Sequence, residues 1–374
     1  MKSTYLPLFE QMTFKNGIEL KNRIVMAPMT NFSANEDGTV SETELSYYSR
    51  RSGGVGLVIT ACVYVSPNGK GFHGEFASDS DDMIPSLQRL AATIKEKGAK
   101  AVLQIFHGGR ECPINLVPNG DVVSASAVAS EQNAGVTPRA LLDEEIESII
   151  RDFGETTRRA IEAGFDGVEI HGANGYLVQQ FFSPHSNVRD DRWGGNIENR
   201  LRFPLAVVDE VKRVVAAYAK KPFLVGYRFS PEEATTPGIT MSDTFRLLDE
   251  LTNKELDYLH VSLMDFWSLP KRGAEETKTR MQWIKDRVGH SIPIIGVGSI
   301  HTPEDAVKAL DIGIPLVAIG REIIVEPDWV EKVQEGRESE IKTTLSKDDQ
   351  DRLVVPTPLW QAIVHTPGWF PLGD

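Results

Sequence analysis

Cysteine is nearly missing from this chain: Cys62 and Cys112 are the only two in 374 residues. Two thiols are too few for a four-cysteine iron–sulfur or zinc site, and they make a disulfide framework improbable. A reduced, cytoplasmic protein is the expectation. Positive charge is also in short supply. Forty Lys and Arg stand against 53 Asp and Glu, giving a formal net charge of −13. That balance argues against a surface tracking nucleic-acid phosphates. No apolar run is long enough to span a bilayer, and the start lacks the basic-then-apolar pattern of an export signal. The histidines outside the strand ends show no metal-ligand spacing, so no metal is assigned. What is present is an ordinary globular composition, 41% hydrophobic and 25% charged. The length allows one oversized domain.

Short β-branched runs recur along the chain, at 23–27, 55–61, 101–106, 167–171, 223–229, 258–263, 293–297 and 316–320. Nearly all-apolar runs of this length suit parallel strands covered on both faces. Between them lie amphipathic stretches near 41–52, 82–98, 143–163, 197–217, 242–254, 276–288, 303–311 and 327–335. Ser41-x-x-Glu44 fits a capping box, and Thr302-Pro303 fits an N-cap followed by proline at the first helical position. Eight strands alternating with eight helices predict an α/β fold, a (β/α)8 TIM barrel; an open doubly wound sheet is less compatible with eight unbroken repeats. Asn16-Gly17 between short β-like runs predicts an N-terminal β-hairpin covering the barrel bottom. With no linker in view, residues 1–374 read as a single domain. It comprises a hairpin cap (1–22), a barrel (23–335) and a C-terminal extension (336–374) whose Trp360, Trp369 and Phe370 predict a docking tail that packs rather than reaching a site.

In such a barrel, chemistry is placed where strands end. The fourth run stops at His171-Gly172-Ala173-Asn174-Gly175-Tyr176. His171 and Asn174 can each donate a hydrogen bond to one oxygen, and Tyr176 adds a weak acid, a set able to polarise a carbonyl and protonate the neighbouring carbon. After the last two runs come Gly298-Ser299 and Gly320-Arg321, where glycine permits close backbone approach and arginine adds charge. That pattern predicts a phosphate cradle. Arg228 lies inside an otherwise apolar run and needs an anionic partner. Glu169 is one candidate, and a ring that becomes negative on reduction is another. Gln104, a lone amide in its run, could hydrogen-bond the same ring. Together with a phosphate site, these residues suggest a phosphorylated aromatic cofactor such as FMN.

Further motifs carry a resemblance. His171 to Leu177 is followed by Phe182-Ser183-Pro184-His185-Ser186-Asn187-Val188-Arg189-Asp190-Asp191, then Arg192-Trp193-Gly194-Gly195 and Glu198-Asn199-Arg200-Leu201-Arg202-Phe203. Asn22-Arg23-Ile24-Val25-Met26-Ala27-Pro28-Met29, Gln104-x-x-His107-x-Gly109-Arg110 and Ile319-Gly320-Arg321 belong to the same pattern. From about residue 5 to about 335 the chain resembles the old yellow enzyme family of FMN-dependent NAD(P)H oxidoreductases. The resemblance implies that His171 and Asn174 hold a substrate oxygen while Tyr176 gives a proton to the α-carbon. It places Pro28, Met29, Thr30 and Ala61 against the flavin, Gln104 and Arg228 at its pyrimidine side, and Gly298, Ser299, Gly320 and Arg321 at its phosphate. Phe32, Phe266 and Trp267, in strand-end loops, are expected to shape the substrate pocket. Some members carry a second histidine where this chain has Asn174, which bears on ligand preference and not on class.

The implied activity is reduction of an activated C=C bond, in an α,β-unsaturated carbonyl or nitro compound, with NADH or NADPH as co-substrate in a ping-pong cycle. The expected partner is a small electrophilic alkene, with no nucleic acid and no membrane; a homo-oligomer is left open. Other readings remain: a flavin barrel acting on a quinone or on tRNA uridine, a flavin-binding protein without turnover, or a non-redox phosphate-binding lyase.

Overall fold

In the computed structural model, residues 1–373 are described, and each of the eight apolar runs forms a parallel strand. They are β1 (Ile24–Met26), β2 (Leu57–Tyr64), β3 (Lys100–Phe106), β4 (Gly167–Gly172), β5 (Leu224–Phe229), β6 (Tyr258–Val261), β7 (Ile294–Gly296) and β8 (Leu316–Ile319). Each pairs with its neighbours in chain order, and β8 returns to β1 with Val317 opposite Ile24, closing a (β/α)8 barrel. The helices between are α1 (Glu42–Arg51), α2 (Ile84–Glu96), α3 (Asp143–Glu162), α4 (Ile197–Tyr218), α5 (Met241–Thr252), α6 (Arg280–Val288), α7 (Pro303–Asp311) and α8 (Trp329–Glu335).

Strand side chains alternate between two cores. Those facing outward pack on the helices in one large cluster. The inward set near the strand starts (Val25, Leu57, Val102, Leu224, Tyr258, Ile295 and Leu316) fills the barrel together with Phe14, Ile18 and Leu20. The latter three come from the N-terminal hairpin, Met12–Thr13 against Glu19–Leu20, which plugs the lower end.

Helix starts follow local chemistry. Thr302 caps α7 with a reciprocal box through Asp305 and proline at the first turn, and Thr240 with Asp243 does the same for α5. At α1 only half of the expected box forms. Ser41 accepts the Glu44 N–H at 3.2 Å, but the Glu44 side chain turns into the core. Burial raises its carboxyl to about 8.

Three features were not legible beforehand: a small parallel sheet joining Val123–Ser124 to Arg139–Ala140, a short helix Leu177–Phe182 after β4, and a tail helix Thr357–His365. The tail docks, with Trp360 and Phe370 buried and the Arg51 guanidinium donating to the Leu353 carbonyl at 2.6 Å. Arg189, which donates to the Ala125 and Leu141 carbonyls at 2.8 Å, ties down the long loop after β4. Arg200 adds a bond to the Phe182 carbonyl.

Candidate active site

The rim is built where β4 runs out. His171 is buried, and its Nδ1 accepts the Ala173 N–H at 3.3 Å, which leaves the proton on Nε2 as the outward donor. Burial, reinforced by the charge of Arg228, pushes its pKa down to about 3, so the ring is neutral at ordinary pH. Asn174 sits in the left-handed region (φ 59°), tolerable for asparagine, with its backbone N–H donating to Ser230 Oγ at 2.9 Å. Its Oδ1 accepts from Ser262 Oγ at 2.8 Å. The amide oxygen is thereby committed and the NH2 group is the free end. No sequence pattern marked Ser230 or Ser262, since a serine after a strand is common.

Tyr176 precedes the short helix, and its ring meets His171 edge-on at 5.1 Å and Phe106 at 4.6 Å. Burial, with Cys62 and Glu75 nearby, pushes its phenol well above the usual value, so it keeps its proton. Phe72 bridges Tyr176 to Phe32 by edge contacts at 6.0 and 5.9 Å. Phe32 is half-buried there. Trp267 is 37% exposed at the mouth, whereas Phe266 is fully buried. The Phe266 ring fills the space left by Gly296, where an added Cβ would lie 2.4 Å away, so it packs behind β7 and does not shape a substrate pocket.

Beside this rim lies a cleft enclosing about 740 Å3, part of it open to solvent. Pro28, Met29, Arg228, Gly298, Ser299, Gly320 and Arg321, all singled out from sequence, line it. Gly298 has φ 133°, and a Cβ there would sit 2.7 Å from the Phe266 nitrogen, so only glycine fits. Thr30, Ala61, Gln104 and His171 are not among the lining residues. The Ala61 N–H donates to the Tyr48 hydroxyl at 2.7 Å and its carbonyl accepts from Thr60, so both backbone groups already have internal partners. The tail contributes what its sequence did not announce: Trp369 lines the cleft, and its carbonyl accepts from Arg321 Nη1 at 2.9 Å.

Arg228 decides what the cleft can hold. It is buried, its Nε has no partner, and of the two candidate partners Glu169 is not hydrogen-bonded to it. Glu169 instead accepts from Gln104 Nε2 at 2.7 Å and from His260 Nδ1 at 2.9 Å. Glu169 acts on Arg228 only through space, so the buried guanidinium keeps unused donors that a ligand bringing negative charge would satisfy. The lining brings together what a planar phosphorylated ring would need: the buried guanidinium of Arg228, the glycine-bordered backbone of Gly298 and Gly320, and the charge of Arg321.

Comparison with known proteins agrees with this geometry. The model of the NADH:flavin oxidoreductase / NADH oxidase family matches residues 7–340. The chain belongs to this family, that of the old yellow enzymes. The probable NADH-dependent flavin oxidoreductase YqiG of Bacillus subtilis (strain 168) is 57% identical over 374 residues, covering 100% of both chains. The NADH:fumarate oxidoreductase of Klebsiella pneumoniae (strain 342) is 42% identical over 95% of this chain, which spans only 38% of that longer protein. Among solved structures, the old yellow enzyme homologue from Zymomonas mobilis superposes with a TM-score of 0.75 at 26% identity, covering 88% of this chain and 92% of that one. This old yellow enzyme relative is thus an NAD(P)H-dependent flavin oxidoreductase. No helix among the described residues is long and apolar enough to cross a membrane.

Proposed function

We propose that this enzyme binds FMN in the cleft and, with NADH or NADPH as reductant, reduces electron-poor C=C bonds of α,β-unsaturated carbonyl or nitro compounds. Bound FMN supplies hydride transfer, and the protein supplies position, charge and a proton. The observation that carries this reading is the pairing of two free donors with one acid: His171 Nε2–H and the Asn174 NH2 group, beside the protonated Tyr176. Neutral donors aimed at one oxygen stabilise charge that develops there, each contributing on the order of 3 kcal/mol. Tyr176 then delivers a proton to the carbon α to that oxygen, and its raised pKa keeps it loaded beforehand. Arg228 holds the pyrimidine edge of the flavin and Arg321 its phosphate, with Gly298, Ser299 and Gly320 giving backbone access.

The test begins with the visible spectrum of the purified protein, followed by anaerobic NADH or NADPH and then 2-cyclohexenone. Bleaching by the nucleotide and return of colour with the enone is the expected result. A colourless protein that cannot take up FMN would overturn the cofactor. A protein that bleaches but ignores enones would point to another acceptor, such as a quinone.

A further inference from the structure

Glu169 stands in the middle of the barrel's polar layer, and no step proposed above uses it. It is fully buried on β4. Its two oxygens are held from two sides: Gln104, its register partner on β3, donates to Oε1, and His260 on β6 donates to Oε2. Arg228, on β5, is the register partner of both His171 and His260. Position 226, the register partner of Glu169 on β5, lacks a side chain and so admits the Tyr258 ring, from which a Cβ there would lie 2.1 Å.

The charges can be followed group by group. Burial opposes ionisation of Glu169, but His260 and Arg228 outweigh it, and the carboxyl is held below its usual range. Burial lowers His260, against the pull of Glu169. A neutral imidazole donating through Nδ1 leaves Nε2 as a bare lone pair, and that atom has no partner. The layer therefore contains one anion and one cation that do not bond to each other. With both its oxygens engaged, Glu169 does not capture the Arg228 guanidinium, which stays available to a ligand. The Gln104 amide is also fixed: one N–H points at Glu169, leaving its carbonyl oxygen and second N–H as an acceptor–donor pair. That pair complements the N–H and C=O of an imide, the group at the pyrimidine edge of a flavin.

We propose that Glu169 is a positioning residue for the cofactor, locking the Gln104 amide for imide recognition while its own charge sets how strongly the site favours the reduced, anionic flavin. This rests on the FMN reading above. Replacing Glu169 by Gln keeps the shape but removes the charge from the layer. The Glu169→Gln protein should bind oxidised FMN about tenfold more weakly, as expected for loss of a charge-assisted hydrogen bond. Its midpoint potential, measured by dye equilibration, should move to a more positive value, because the anionic reduced ring no longer faces a second negative charge. A core carboxylate with no role toward the cofactor would weaken both redox forms equally and leave the potential unchanged, which would overturn the proposal.

A second pair of variants applies if Glu169→Gln does not fold. His260→Leu should weaken FMN binding by stripping one donor, and His260→Gln, which restores an N–H, should recover it. Equal weakening in both would count against the proposal. Wild-type protein that takes up no FMN would instead remove the reading beneath it.

Discussion

Near the strand starts, the inward side chains of the barrel are Val25, Leu57, Val102, Leu224, Ile295 and Leu316, sealed by the hairpin's Phe14, Ile18 and Leu20. Two to four residues further along several of the same strands they are Gln104, Glu169, Arg228 and His260. Both sets are buried and both lie on inward faces, so neither burial nor strand register separates them. They differ in what completes them. The lower set, apart from the unpartnered Tyr258 hydroxyl, is aliphatic and satisfied by contact with itself, whereas the upper set contains Arg228 with a partnerless Nε and His260 with a partnerless Nε2. One end stabilises the fold, and the other carries unmet charge that a ligand can answer.

This contrast can be broken in stages. Tyr176→Phe removes a proton donor and no packing volume. The alkene half-reaction should slow by about 10²–10⁴-fold while reduction by NADH is unchanged, as stopped-flow absorbance would record. At the lower end, Leu224→Ala should cost about 2–5 kcal/mol of stability in denaturant unfolding. The bound-flavin spectrum should stay as it was, and a changed spectrum would mean that the two interiors are not independent. Asn174→Ala should reduce kcat/KM toward an enone by roughly 100-fold through loss of one donor, and Ser262→Ala by less, because it only frees the amide to turn.

The last test sharpens the comparison through pH. Burial pushes the Glu44 carboxyl up to about 8 from its ordinary value of 4.5. The native state therefore binds more protons than the unfolded state between those values, and stability is lost as pH rises from about 4.5 to about 8. Glu44→Gln should be free of this loss, so its Tm advantage over wild type should be smallest at pH 4.5 and largest at pH 9. A constant difference across that range would show that Glu44 is ionised in the folded protein.

The barrel was legible because its signals are local: apolar runs of strand length, helix caps such as Thr302-Pro303, and Asn-Gly in the hairpin. The rim was partly legible for a related reason, since a strand end fixes where His171, Asn174 and Tyr176 emerge. Partner choice was not. Nothing near Arg228 in sequence says that Glu169 will turn to Gln104 and His260, each on a different strand. Phe266 looked like a neighbour of Trp267 at the mouth, but the vacancy beside Gly296, some thirty residues on, draws it inside. Trp369 was read as tail packing because a docking contact between residues 321 and 369 leaves no periodic trace. The capping box at Ser41 failed halfway because Glu44 lies on the buried face of α1, where its side chain has another environment.

The place where the barrel closes has one more consequence. β8 pairs with β1, and the cleft takes Ala27, Pro28 and Met29 from one side of that junction and Ala318, Gly320 and Arg321 from the other. A cofactor held there would act as a clasp across the seam, fastening strands that are neighbours in space and nearly three hundred residues apart along the chain. Losing the cofactor and loosening the ring become one event, so amide exchange in the flavin-free protein should quicken first along β1 and β8.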